Sequence, residues 1–172
     1  MRSEDIKYVI IQAGGKGIRM GRYAENKPKC LVPVKGIPMI MNTIEKYKDK
    51  EIIIIADYKA DVLEAYLTNF SKYNFTVCQT TEQGTAGGLT KVMDSIPDDE
   101  PFILTWADLF FEETPEFEFD NDLLVGLSDT FKCRWKLENN KFVNEASTEV
   151  GVAGFFAFKN KERFNKLSIS KS

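Results

Sequence analysis

The chain contains no histidine, which removes the commonest general base, metal ligand and neutral-pH switch among side chains. Its three cysteines, Cys30, Cys78 and Cys133, are far apart, odd in number and without metal-ligand spacing; this excludes a disulfide framework and predicts a reducing compartment. No apolar run approaches the roughly 18 residues that a membrane-spanning helix requires, and the first residues carry no apolar secretion segment. A cytoplasmic location without a membrane partner is the expectation. Positive charge is not in excess either: Lys and Arg number 23 against 26 Asp and Glu, a net charge of −3, so nothing electrostatic calls for nucleic acid. Repeats, linkers and low-complexity segments are missing as well.

What is present is the composition of an ordinary globular protein, 172 residues with 43% hydrophobic and 28% charged side chains, enough for one domain spanning 1–172. Short apolar runs at 8–12, 52–56 and 102–106 fit strands buried on both faces, and 75–79 reads as a further strand. Helical apolar spacing at 38–47, 60–70 and 89–96 alternates with them, which predicts βαβ units and a parallel sheet. The residues from Thr80 to Gly88 are expected to form a loop before the last of these helices. Further on, strands at 123–127 and 150–158 flank a hairpin expected over 132–142 with Asn139-Asn140 at its turn. The stretch 112–122 is acidic and aromatic; Phe110, Phe111, Phe117 and Phe119 belong to the core or to a homodimer face.

Chemistry concentrates where the first strand ends. Gly14, Gly15 and Gly17 follow it at once, with Lys16, Arg19, Lys27 and Lys29 around them. Backbone without Cβ atoms can wrap closely round a bulky anion while side-chain cations meet its charge, and a polyphosphate is the natural guest. Two glycine-rich patterns fail here. A P-loop needs a hydroxyl after its lysine, where Gly17 stands after Lys16, and the dinucleotide fingerprint meets Met20 in place of its third glycine.

Over its whole length the stretch resembles the signature of the sugar-phosphate nucleotidyltransferases, matched by Ala13-Gly14-Gly15-Lys16-Gly17-Ile18-Arg19 and then by Lys29-Cys30-Leu31-Val32-Pro33-Val34-Lys35-Gly36-Ile37-Pro38-Met39. The resemblance implies an α/β fold, a three-layer Rossmann-like, mostly parallel sheet of the nucleotide-diphospho-sugar transferase type. It implies nucleotide binding by Gln12, Ala13, Gly14, Gly15, Lys16 and Gly17, with Arg19 and Lys29 acting on the triphosphate. Asp108 resembles the family's magnesium-binding aspartate, with Ala107 where a glycine is usual, which makes Mg²⁺ the implied cofactor. The run Gln79 to Gly88 resembles the family's base-binding loop, implying contacts from Gln79, Gly84 and Thr85. The strand at 150–158 resembles the floor of the acceptor pocket, which brings in Gly151 and, just before it, Glu145.

Two departures stand out. No aspartate follows Asp129 to complete a metal site, leaving Glu145, Glu149 or phosphate and water. Where many relatives carry Glu-Lys, with the lysine on the acceptor's phosphate, this chain has Glu145-Ala146, so that Lys132, Arg134 or Lys141 would have to substitute. The expected partners are an NTP and a phosphorylated small-molecule acceptor, foremost a sugar 1-phosphate, with the base left open. Rival readings are a cytidylyltransferase for a non-sugar phosphate, an inactive nucleotide-binding regulator, and an interaction domain built on 110–122.

Overall fold

The structure is a computed structural model that describes residues 1–80, 85–162 and 164–165. Its first strand, β1 (Tyr8–Gln12), owes its position to alternation: Val9 and Ile11 point to one face of the sheet, Tyr8 and Ile10 to the other, and each set is buried in its own core. A strand covered on both faces needs apolar residues at every position, which is why the run is continuous. Parallel neighbours flank it, β4 (Glu51–Ala56) on one side and β6 (Phe102–Trp106) on the other, and β5 (Thr76–Gln79) lies beyond β4. On the Val9 face sit α1 (Met39–Lys46), through Ile40 and Ile44, and α2 (Ala60–Phe70), through Leu63 and Leu67. The Ile10 face carries α3 (Thr85–Met93), through Leu89, Val92 and Met93. Helices on both sides of a largely parallel sheet make the three-layer arrangement expected.

Past β6 the sheet turns antiparallel. The long β10 (Gly151–Phe158) pairs with β6, with β7 (Leu123–Ser128) and, at its first residue, with β8 (Lys136–Glu138), which forms a hairpin with β9 (Lys141–Val143). The full order is β5-β4-β1-β6-β10-β8-β9, with β7 also on β10. The hairpin turn is Asn139-Asn140, at φ of +48° and +59°, the left-handed pair that a two-residue turn requires and that asparagine tolerates. The hairpin is narrower than the 132–142 expected, because residues 133–135 are held instead against β10 and Ser147.

Two local features differ from expectation. Helix α3 opens at Thr85, not Leu89, so that Gly87 and Gly88 lie inside it. At Gly88 a Cβ would stand 2.6 Å from the Ile55 Cγ2, so close approach of helix to sheet outweighs the roughly 1 kcal/mol helix penalty of glycine. A small hairpin, β2 (Pro33–Val34) with β3 (Ile37–Pro38), precedes α1 and turns on Lys35 and Gly36 at φ of +51° and +81°; Pro38 thereby caps α1 from outside it. The acidic stretch is pinned to the body of the domain, since Phe111, Phe117 and Phe119 pack against the main core and the first two stack edge-on to Phe155. That is the core reading of these phenylalanines. No described helix is long and apolar enough to cross a membrane.

Candidate active site

Register decides what meets what. Gln12 of β1 lies opposite Ile55 of β4 and Trp106 of β6. The pairing runs one step further on both sides, Ala13 N–H donating to the Ile55 carbonyl at 2.8 Å and Ala107 N–H to the Gln12 carbonyl at 3.0 Å. Three parallel strands thus end level, and the residues that follow them, Gly14, Asp57 and Asp108, come out along one edge of the sheet. This is the carboxyl edge where open α/β sheets take their ligands.

A cleft of about 530 Å³ opens there, within the range of small-molecule sites. The glycine loop forms one wall with Gln12, Ala13, Gly14, Gly15, Lys16 and Gly17, and Arg19 and Lys29 reach the same space. Gly17, at φ of +64°, bends the chain into the turn Ile18–Ala24; a Cβ there would meet the Ala24 and Lys29 Cβ atoms at 3.0 Å. Its lack of a side chain lets the loop fold back on Lys29. Gly14 packs on Asp57, where a Cβ would stand 3.1 Å from the Asp57 Cβ. Gly15 is different: a Cβ would meet nothing within 4 Å. No protein contact accounts for a glycine at that position, and the open space beside it belongs to the cleft.

Lys29 reaches Asp108 within the lining of the cleft. Its ammonium forms an ion pair and hydrogen bond with the Asp108 carboxylate, both side chains being about two-thirds buried. The turn Lys29–Leu31 that holds the lysine is anchored by Cys30 and Leu31, buried in the core. Burial pushes the Cys30 thiol up to about 12, so it stays protonated at neutral pH and serves packing, not nucleophilic chemistry. Among the described residues no group of three or more His, Cys, Asp or Glu could cage a metal.

The remaining sequence-derived residues lie elsewhere. Lys27 is not at the cleft. Gln79 stays outside it, its side-chain amide donating to the Glu64 carboxylate at 2.6 Å and its backbone carbonyl accepting from Lys91 at 3.3 Å. Glu145 is held by Lys136 at 3.3 Å, and that pairing is the first cause of the raised Lys136 ammonium. Gly151 is occupied by packing, as a Cβ would fall 2.4 Å from the Cys133 Cβ and 2.5 Å from the Trp135 carbonyl. Gly84 lies outside the described residues, and of Thr85 only the backbone, at the first position of α3, belongs to them. Of the three cations offered as substitutes for the missing lysine, Arg134 alone lines the cleft.

Sequence reasoning missed Asp57, Thr80 and Trp106, which also line it. Asp57 and Thr80 directly follow strands β4 and β5, so the strand-end logic that singled out Asp108 applies to them equally. Trp106 carries no such signal; it reads as one more apolar strand residue.

Known proteins share sequence and fold with this chain. The chain is 32% identical over 111 residues to the bifunctional protein GlmU of Methanocaldococcus jannaschii, covering 62% of this chain and 26% of that one. It is 27% identical over 153 residues to the glucose-1-phosphate cytidylyltransferase of Salmonella typhimurium, covering 71% and 60%. The chain therefore spans between a quarter and three fifths of the length of these relatives. In structure it is similar to the CTP:phosphocholine cytidylyltransferase of Streptococcus pneumoniae, with a TM-score of 0.70 at 21% identity over 97% of this chain and 80% of that one. Residues 9–115, from β1 to just past Asp108, match the family described as MobA-like NTP transferase domain. That match covers more than half of the chain and contains the whole glycine loop, and the protein belongs to this family.

Proposed function

We propose that the protein is a nucleotidyltransferase that moves a nucleoside monophosphate from an NTP to a phosphorylated acceptor, foremost a sugar 1-phosphate, with release of pyrophosphate. The observation that carries the reading is the Lys29–Asp108 pair lining a cleft whose other wall is the glycine loop. The relative from Salmonella typhimurium, named as a glucose-1-phosphate cytidylyltransferase, supports the acceptor class.

In the reaction an acceptor phosphate oxygen attacks the α-phosphorus; one P–O bond forms, the bond to the β-phosphate breaks, and the electron pair leaves with pyrophosphate. The nucleophile is already an anion near neutral pH, so the absence of histidine is no obstacle. Positioning and charge neutralisation can carry such a transfer. The loop's backbone N–H groups cradle the phosphates, and Arg19 and Lys29 offset the charge that grows on the leaving group. Magnesium fits the donor set. It accepts one or two carboxylates and fills its octahedron with phosphate oxygens and water, so Asp108 would hold an ion that arrives on the triphosphate and adds further charge neutralisation. In that role Asp108 would exchange its partner Lys29 for the ion, leaving the Lys29 ammonium to the phosphates.

A coupled pyrophosphate-release assay across the four NTPs, with sugar 1-phosphates and non-sugar phosphates as acceptors, tests the reading. Release with at least one pair, abolished by EDTA, is the expected outcome. Its absence for every pair would leave a nucleotide-binding domain without turnover. Ala146 favours one specific second reading, a non-sugar phosphate acceptor, and the same panel separates it.

Gly15 offers a sharper check of the phosphate cradle. Because its Cβ would meet no protein atom, Gly15→Ala should hold or raise stability by about 0.5 kcal/mol. The methyl group would stand in the phosphate path, so NTP affinity measured by calorimetry should fall about tenfold or more. Unchanged affinity in a folded variant would remove the loop from the phosphate site.

A further inference from the structure

We propose that Arg134 is the anchor for the acceptor's phosphate, replacing the lysine that this chain lacks at Ala146. The inference rests on the reading of the cleft as a nucleotidyl-transfer site, and names the group that recognises the second substrate.

Two chemical requirements narrow the choice. An acceptor phosphate brought up to a triphosphate meets strong repulsion, so a cation must stand on its side of the α-phosphorus. It must also reach the cleft, and a cation with no carboxylate partner is free to bind at once. The region 132–141 contains four. Lys132 and Lys141 are outside the cleft. Lys136 is outside it as well, and is engaged by Glu138 at 3.4 Å and Glu145 at 3.3 Å. Arg134 lines the cleft and has no hydrogen-bond or ion-pair partner among the described residues. It enters from the β8 side, and the strand order puts β6, which Asp108 follows, between β8 and β1, which the glycine loop follows.

Its backbone is held on both sides. Cys133 exchanges two hydrogen bonds with Ser147, at 2.9 and 3.0 Å, and the Trp135 carbonyl accepts from Val152 N–H at 2.8 Å. The close seating of these residues on β10 depends on Gly151, where any side chain would collide with Cys133 and Trp135. Gly151 therefore acts at one remove, letting residues 133–135 lie flat so that Arg134 is delivered to the cleft. A planar guanidinium matches two phosphate oxygens at once, which a lysine cannot do.

The test compares steady-state kinetics of the wild type with Arg134→Ala, Arg134→Lys and Lys132→Ala, using the NTP and acceptor that release pyrophosphate, with circular dichroism to confirm folding. Arg134→Ala should raise the acceptor KM ~10- to 100-fold, the scale of one charge-assisted bidentate contact, while the calorimetric Kd for the NTP changes less than about twofold. Arg134→Lys should fall between, and Lys132→Ala should match the wild type. An unchanged acceptor KM in Arg134→Ala, or a parallel loss of NTP affinity, overturns the assignment. If the wild type releases no pyrophosphate with any pair, the proposed function fails and the anion site is judged by itself. Calorimetric titration of α-D-glucose 1-phosphate into protein holding Mg²⁺ and each NTP should then show binding that Arg134→Ala abolishes. Equal binding by both proteins, or none by the wild type, overturns it.

Discussion

Asp108→Asn is expected to lower turnover by about 100-fold or more, and Lys29→Ala by a similar factor, with the fold intact in both. The scale is that of removing one preorganised group aimed at transition-state charge. The neutral amide introduced by Asp108→Asn keeps the shape of the carboxylate but loses the charge that would hold a metal, and it cannot form an ion pair with Lys29. In Lys29→Ala the carboxylate is left unopposed in the cleft, where it repels the incoming triphosphate, so this variant should also raise the KM for NTP. Because both side chains are partly exposed, solvent screens the pair and its contribution to stability is small; melting temperatures should move by only a few degrees. The two losses should not add in the double variant, since the residues share one contact. The decisive measurement is kcat for pyrophosphate release alongside thermal melting. Asp108→Asn turning over at near wild-type rate would remove the metal site and most of the catalytic reading with it.

The largest expected effect on stability belongs to Gly154. Here β10 kinks, its pairing with β7 shifting between Val152 and Phe156, and the backbone adopts φ of +91° so that the Trp106 indole can lie over it. A Cβ would sit 2.1 Å from the indole Cε3 and 2.3 Å from its Cδ2. Gly154→Ala therefore combines a disfavoured dihedral with a collision against a large ring, and a loss of about 3 kcal/mol or more is expected. Gly21 supplies the control. It has φ of +53° with open space around it, so Gly21→Ala should show only the backbone term, of order 1–3 kcal/mol. Urea unfolding of both variants measures the difference, which is the steric part. Since Trp106 also lines the cleft, a displaced indole should impair activity even below the melting temperature. Equal stability of the two variants would mean that the ring moves aside without penalty and that the bulge is not built around it.

Much of this is open to inspection in the chain itself. Continuous aliphatic runs alternating with helical stripes leave few alternatives to a parallel sheet covered on both faces, and a paired asparagine between short strands specifies its turn. The glycine loop is equally plain, because three closely spaced glycines amid cations directly after a buried strand stand out in the chain. The errors come where a glycine's purpose is contact, not flexibility. Local pattern assigns Gly88 to a loop, although it lets a helix touch Ile55, and nothing local shows that Gly151 seats residues 133–135.

Local pattern by itself determined most of the strands and helices, the glycine loop and Asp108 at its strand end, since each depends on neighbours a few positions away. Tertiary structure decided which distant groups share the cleft. The level ending of β1, β4 and β6 brings Asp57 and Asp108 to either side of one loop; the ion pair with Lys29 spans 79 positions of chain; and Arg134, not Lys132 or Lys141, reaches the cavity. Such choices follow from strand register and from how closely two backbones can approach. Both are set by contacts between segments far apart in the chain, so no window along it contains them.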